Sequence, residues 1–221
     1  MRISSFNIQN NFYKHINKTD YLISFINKYD LDILGVQEYL YRDSKKFKLN
    51  GYKCYGKGRY KYINSIFNET CSIITKLKVK SYRNIKLPWF FSQFPRIITE
   101  ALINVDDKEY LILNTHLDYL HKFSQKRQLN FIIKYLKNIK YKNIIMMGDF
   151  NLDINSKLFK NFINEINKLN INRVDINEKT FKSLDKPIDH IFISNNIVIK
   201  DIKVIKSIDI SDHYPLYIEV E

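Results

Sequence analysis

The sequence contains no run of about 18 uninterrupted apolar residues, which excludes a spanning helix and any stable insertion into a membrane by that route. Its first residues enter strand-like sequence at once, without an apolar h-region or a cleavage site, so the expectation is a cytoplasmic chain. Cysteine is scarce. The two thiols, Cys54 and Cys71, stand in no metal-ligand spacing, and a chain of this size needs no covalent staple, so both are expected to be free. Internal repeats, linkers and low-complexity runs are absent apart from a bias toward Lys and Asn. At 221 residues and 45% hydrophobic, the chain is long enough for one well-buried core and too short to require two. A single domain over 1–221, working as a monomer, is expected.

The formal net charge is +13, which suits a polyanionic partner because Lys and Arg neutralise phosphates and release counterions. The basic residues are mostly Lys, spread along a chain also crowded with Ile, Asn and Tyr. That pattern equally fits an AT-rich coding bias. Charge therefore supports a phosphate-bearing substrate without identifying it.

Strand patterns occur at 2–7, 31–37, 52–55, 70–75, 79–85, 97–105, 110–116, 143–148, 188–194, 199–206 and 214–220. Helical spacing is rarer: Thr19 can cap YLISFINKY, Ser124 can cap QKRQLNFIIKYLKNI, and Ser156 can cap KLFKNFINEINKL. Asn10-Asn11, Asn195-Asn196 and Gly51, Gly56 and Gly58 mark turns. Many strands with a helix after the first, seventh and eighth predict an α/β fold, a four-layer α/β/β/α sandwich. Between Pro88 and Pro95, LPWFFSQFPR concentrates Trp89, Phe90, Phe91 and Phe94 where a loop is normally polar. Such a cluster more often plugs a core or sheet edge, and otherwise forms an exposed rim for bases or a membrane.

The chemistry is written at strand ends. GDFN, Gly148 to Asn151, closes the apolar run NIIMM in a carboxylate and an amide that packing does not require. Comparable ends occur at Asn7 in SFN, Glu38 in DILGVQE, and His116 and Asp118 in NTHLD, while SDHYP sets Asp212 and His213 just before the last strand. In open α/β sheets, strand ends of this kind meet in the ligand crevice. Asn7, Glu38 and Asp212 offer only hard oxygens, which suits Mg²⁺, with Mn²⁺ as an alternative, rather than Zn²⁺. Such a metal leaves coordination positions for phosphate oxygens and neutralises charge at a phosphoryl group. His213 needs a partner to fix its tautomer, and Asp189 in IDHIF is the best placed by type.

In this order and at these intervals, SFN, QE, NTHLD, GDFN, IDHIF and SDHYP resemble the endonuclease/exonuclease/phosphatase superfamily, over essentially the whole chain. The resemblance implies a DNase I-like fold, with two packed, mainly antiparallel sheets flanked by helices. It implies metal ligation by Asn7 and Glu38 with Asp212 nearby, and an Asp149–Asn151 pair that orients the attacking water and binds the scissile phosphate. His213, paired with Asp189, would be base or phosphate ligand, and His116 would stabilise the pentacovalent transition state. Whether Asp149 or His213 takes the proton stays open. Histidine in NTHLD looks like the branch holding DNase I, sphingomyelinases, deadenylases and tyrosyl-DNA phosphodiesterases, and argues against the apurinic endonucleases.

The implied activity is metal-dependent phosphoester hydrolysis, with a nuclease on DNA or RNA as the leading expectation. A phosphatase or phospholipase C-like enzyme on a small or lipid phosphoester, such as an inositol phosphate or sphingomyelin, is the alternative. A binding module that has lost its chemistry is disfavoured, because every position the reaction needs holds a competent residue. Arg96 looks like a substrate-phosphate arginine, or else forms a surface salt bridge. Glu69 and Glu100 are rival orienters of His116, Asp118 is either a supporting group or the start of a loop, His190 is a strand residue beside the site, and His15 and His121 are solvated.

Overall fold

Side chains on a strand alternate between its two faces, and that alternation sorts this chain into layers. The computed structural model describes residues 1–10, 17–62 and 65–221. One sheet is built from β1 (Arg2–Asn7), β2 (Ile33–Leu40), β3 (Lys53–Tyr55), β4 (Glu69–Thr75), β11 (Ile199–Val204) and β12 (Leu216–Val220), in the order β11-β12-β1-β2-β4-β3. The other holds β5 (Lys78–Lys86), β6 (Ile97–Val105), β7 (Lys108–His116), β8 (Asn143–Asp149), β9 (Ile171–Arg173) and β10 (Asp189–Ser194), in the order β5-β6-β7-β8-β10-β9. Among the described residues, β1 with β2 and β7 with β8 pair in parallel, and the remaining pairs are antiparallel.

In β8, Ile145 and Met147 face the other sheet, packed with Ile3, Ile33, Ile112 and Ile191, whereas Ile144 and Met146 face outward. The outward face is covered by α3 (Lys122–Lys137) and α4 (Lys157–Asn167). Phe159, Phe162 and Ile166, at helical spacing in α4, are fully buried there, each contributing roughly 1.5–3 kcal/mol. On the opposite side, α1 (Thr19–Tyr29) lays Leu22, Phe25 and Ile26 on Phe6, Leu34 and Val36, and the single turn α2 (Tyr41–Ser44) follows β2. The result is the expected α/β/β/α sandwich of DNase I-like type. Gly35 lets the sheets close: a Cβ there would lie 2.6 Å from Met147 Sδ.

Details of the elements differ from expectation. Thr19 and Ser124 lie inside their helices, whose N-caps are Lys18 and His121. The first turn of α1 is closed instead by Asn17 Oδ1, which accepts from Thr19 N at 3.0 Å. Ser156 does cap α4, accepting from Phe159 N at 3.3 Å. The short β9 and α2 carry too few residues to show a period. His15 and Asn11 lie outside the described residues.

Candidate active site

The site is the polar end of the layer between the sheets. His116 pairs with Asp149 across β7 and β8, and Asp149 pairs with Asp189 across β8 and β10, so the three form one row. Each is in phase with the inward apolar positions of its strand: Ile112 precedes His116, Met147 precedes Asp149, and Ile191 follows Asp189. On the facing sheet Ile3 and Asn7 keep the same phase in β1. The last inward positions of these strands therefore change from apolar to polar together.

Glu38 departs from this rule. Val36 and Tyr39 both face α1, and strict alternation from Val36 would send Glu38 there as well. Between Gln37 and Tyr39 the ladder with β4 slips by one residue, and Glu38 occupies the bulge with φ +57°. A bulge re-aims one side chain at a backbone cost of order 1–3 kcal/mol, and here it returns the carboxylate to the inner side. Asn7 Nδ2 donates to Glu38 Oε1 at 3.1 Å and to Asp149 Oδ2 at 3.0 Å, tying the two sheets together at the site. Below it, Gln37 Nε2 donates to Asn114 Oδ1 at 2.6 Å, and Asn114 Nδ2 donates to Ser72 O at 2.8 Å, a buried polar seam between the sheets.

Asp149 is held by the turn that follows it. Asn151 N donates to Asp149 Oδ1 at 2.8 Å, which requires the positive φ of +52° at Asn151, whose own Nδ2 donates to Leu117 O at 3.1 Å. Gly148 is required in GDFN because its φ is +148° and a Cβ would stand 1.9 Å from Thr115 O. Burial, and then the neighbouring Asp189 carboxylate, pushes the Asp149 carboxyl well above the usual range. Asp189 Oδ2 lies 2.9 Å from His213 Nδ1, and His213 Nε2 faces Asp149 Oδ2 at 3.7 Å. Burial opposes a charge on His213, but the carboxylates of Asp189 and Asp149 outweigh it and raise the imidazole to about 10. His116 is the reverse case. Burial first, then the Arg96 and Arg59 guanidiniums, hold it neutral.

Arg96 is buried rather than on the surface, and its Nη1 lies 3.1 Å from His116 Nδ1. Neither Glu69 nor Glu100 orients His116: Glu69 Oε2 is 3.1 Å from Arg59 Nη2, and Glu100 Oε1 accepts from Arg83 Nε at 2.8 Å. Asp118 starts a loop, accepting at Oδ1 from the backbone N–H groups of Leu120 and His121, both at 2.8 Å. His190 sits one residue beyond Asp189, buried with its ring against Phe159, and His121 is exposed. The side chains of Glu38, Arg96, His116, Asp149, Asp212 and His213 line one cleft of about 460 Å³, and Asn151 borders it.

A profile of the endonuclease/exonuclease/phosphatase family matches residues 4–213. The chain belongs to that family. It is accordingly a hydrolase of phosphoester bonds, and the family is generally dependent on divalent metal. A mannosyl-6-phosphatase from Bacteroides thetaiotaomicron has the same fold, with a TM-score of 0.83 at 21% identity over 100% of this chain and 99% of that one. The human Nocturnin catalytic domain with bound sulfate gives 0.81 at 17% identity, covering 100% and 94%. A humanized D. rerio TDP2 gives 0.75 at 15%, covering 100% and 98%. No curated protein matches the chain significantly in sequence.

The donor set fits a hard divalent cation. Glu38 and Asp212 both open on the cleft with hard oxygens, and burial raises the Asp212 carboxyl, with the Glu38 charge adding to the rise and the His213 imidazolium opposing it. Asn7 Oδ1 accepts from Gln9 N at 2.9 Å and keeps a second lone pair. Asp149, Asp189 and His213 also cluster closely enough for an ion, and the bond between Asp189 Oδ2 and His213 Nδ1 at 2.9 Å occupies one donor atom of each of those two.

Two residues of the site carried no signal in the sequence. Arg59 is buried beside Glu69 with its guanidinium 4.3 Å from the centre of the Phe94 ring. Lys18 donates from Nζ to Ile8 O, to Gln9 O at 2.7 Å and to Ile210 O at 2.8 Å, joining the loop after Asn7 to the loop before Asp212. Both lie outside periodic segments, and Lys18 is lost among the many lysines. The thiols are free, Cys71 buried and Cys54 half-buried, and burial pushes both up to about 12, away from the thiolate form. No helix among the described residues is long and apolar enough to cross a membrane.

Proposed function

We propose that the protein is a Mg²⁺-dependent nuclease, with Mn²⁺ as an alternative ion, hydrolysing phosphodiester bonds of DNA or RNA by in-line attack of water. The observation that carries this reading is Asp149, fixed by Asn7 Nδ2 and Asn151 N and facing His213 across one cleft with His116. Glu38 and Asp212, with Asn7, would hold the cation, which supplies Lewis-acid neutralisation of the phosphoryl oxygens. Asp149 orients the water and takes its proton as the oxygen–phosphorus bond forms; the phosphorus–oxygen bond opposite it breaks, and the leaving oxygen is protonated from solvent. His213, kept charged by Asp189, binds a phosphate oxygen. His116 presents Nε2–H toward the same point, because Arg96 occupies Nδ1, and it stabilises the charge that builds on the phosphorane. Asn151 at the cleft edge binds the scissile phosphate. Arg96 acts through His116 and adds positive potential for the phosphate.

The net charge of +13 suits a phosphate-bearing substrate, and the choice of a polynucleotide rests on aromatic surface at the cleft, where Tyr119 is an exposed lining residue. Labelled single- and double-stranded DNA and RNA, incubated with Mg²⁺, Mn²⁺ or EDTA at several salt concentrations, test it. Metal-dependent cleavage is expected, and intact substrates under every condition would overturn the nuclease. A small or lipid phosphoester is the second reading, favoured by the limited cleft volume of about 460 Å³ and its apolar wall of Phe181, Leu184 and Ile188. Turnover of inositol phosphates or sphingomyelin, with polynucleotides untouched, would establish it.

A further inference from the structure

The segment between β5 and β6 is an exposed rim rather than a core plug. Trp89 is 57% exposed, Phe90 63% and Phe91 63%, and Phe123 at the start of α3 is 54% exposed. Phe90, Phe91 and Phe123 form one cluster, with ring centres 4.5 Å apart for Phe90 and Phe91 and 6.0 Å apart for Phe91 and Phe123, and Trp89 adjoins Phe90 in the chain. The loop that carries them is pinned. Leu87 N donates to Arg96 O at 2.9 Å across its base, and the single Ser92 hydroxyl proton is shared between Asp118 and Phe94 O, the latter 2.7 Å from Oγ. Phe91 holds a φ of +67°, unfavourable for a bulky side chain, and burial of its ring does not compensate for it. Solvent-facing aromatics on a fixed loop make a binding surface.

Two observations decide what it binds. Arg127 sets its guanidinium 6.0 Å from the Phe90 ring centre and 5.8 Å from that of Phe123, among the aromatics rather than at their margin. A surface that sinks into hydrocarbon would carry that charge down with it, whereas guanidinium planes and aromatic rings together are what unpaired bases stack on. The fringe is basic: α3 contains no acidic residue, and Lys122, Lys126 and Lys157 line a groove of about 490 Å³ beside Phe123. The rim also connects to the cleft, since Tyr119 lines the cleft and donates its hydroxyl to Gln93 Oε1 at 2.5 Å within the rim loop.

We propose that this rim is a platform for single-stranded nucleic acid, stacking bases on Trp89, Phe90, Phe91 and Phe123 while Lys122, Lys126 and Arg127 follow the phosphates toward the cleft. It rests on the phosphodiesterase reading for the direction of the strand and makes unpaired DNA or RNA the substrate class. A duplex keeps its bases stacked on one another and offers the rim only its backbone.

Trp89 is the one tryptophan in the chain, so its fluorescence reports the rim directly. In EDTA, where the proposed hydrolysis is arrested, the wild-type protein is titrated with oligothymidylate, oligoadenylate, a duplex, and phosphatidylglycerol/phosphatidylcholine vesicles. Single strands are expected to quench Trp89 saturably, at least about tenfold more tightly than the duplex and more weakly as salt rises, with no response to vesicles. The double variant Phe91→Ser/Phe123→Ser, checked for an unchanged melting temperature, loses about tenfold or more in single-strand affinity by anisotropy, and Phe91→Tyr retains it. A blue shift with vesicles alone, equal affinity for strand and duplex, or an unaffected double variant would overturn the platform. Strands that quench Trp89 but are never cleaved with metal uphold the platform and remove only the nuclease. Cleavage by a double variant with wild-type strand affinity removes only the platform.

Discussion

Arg96 Nη1 lies 3.1 Å from His116 Nδ1, and because a guanidinium can only donate, the imidazole must accept there and carry its proton on Nε2. That proton faces Asp149 Oδ2 at 3.5 Å, at the centre of the cleft. An arginine thereby sets the tautomer of a histidine that would otherwise be free to donate from either nitrogen.

Replacing Arg96 by Gln should therefore lower kcat more than it raises KM. Loss of one preorganised donor is worth roughly 10²–10³ in rate, and a misaligned His116 should approach the lower figure. Steady-state kinetics of Arg96→Gln beside His116→Gln check it. Similar kcat losses in the single variants and little further loss in the double variant are expected.

Lys18 clamps the loops that carry Asn7 and Asp212 through three backbone carbonyls. Lys18→Met leaves those acceptors without the ammonium and should destabilise the fold by about 1–3 kcal/mol. It should also raise the Mg²⁺ concentration needed for half-maximal activity, because the oxygen ligands lose their shared anchor. Urea denaturation and a metal titration measure the two effects separately.

Much of this site is legible in the sequence because it obeys alternation. His116, Asp149 and Asp189 each stand at an even spacing from an inward apolar residue, so a strand pattern alone delivers them to one face. Glu38 was found by residue type, although the bulge that turns it inward has no signature in VQEYL. The aromatics of LPWFFSQFPR read as a plug for a core or sheet edge, because hydrophobicity does not reveal that a loop is pinned outward by Ser92 and Asp118. Arg59, Lys18 and the Arg96 contact depend on chain segments distant in sequence, and no local pattern encodes them.

Gly148 offers a structural test of GDFN. With φ at +148° and 1.9 Å between an added Cβ and Thr115 O, Gly148→Ala should destabilise the protein by more than about 3 kcal/mol. Chemical denaturation gives the figure, and a loss below about 1 kcal/mol would contradict the described turn.

Acid stability should depend on His190. Burial lowers its pKa from 6.5 to about 3, and its ring lies between Arg173 Nε at 3.1 Å and Leu152 O at 2.8 Å. The unfolded chain thus binds a proton that the folded chain refuses between those two values. Stability from this group is complete above about pH 6.5 and is lost as pH falls toward 3, on the order of 5 kcal/mol in all. His190→Gln, which can still donate and accept but cannot charge, should flatten urea-derived stability between pH 6.5 and pH 4 relative to wild type.

The most direct test of the hydrolytic centre is the rate of metal-dependent phosphodiester cleavage by Asp149→Asn beside wild type, with the melting temperature of each. The variant keeps the shape of Asp149 while relieving its repulsion with Asp189, so it should melt at or above wild type and lose at least about 10³-fold in turnover. A folded Asp149→Asn that cleaves at the wild-type rate would contradict the assignment of the cleft as the catalytic centre.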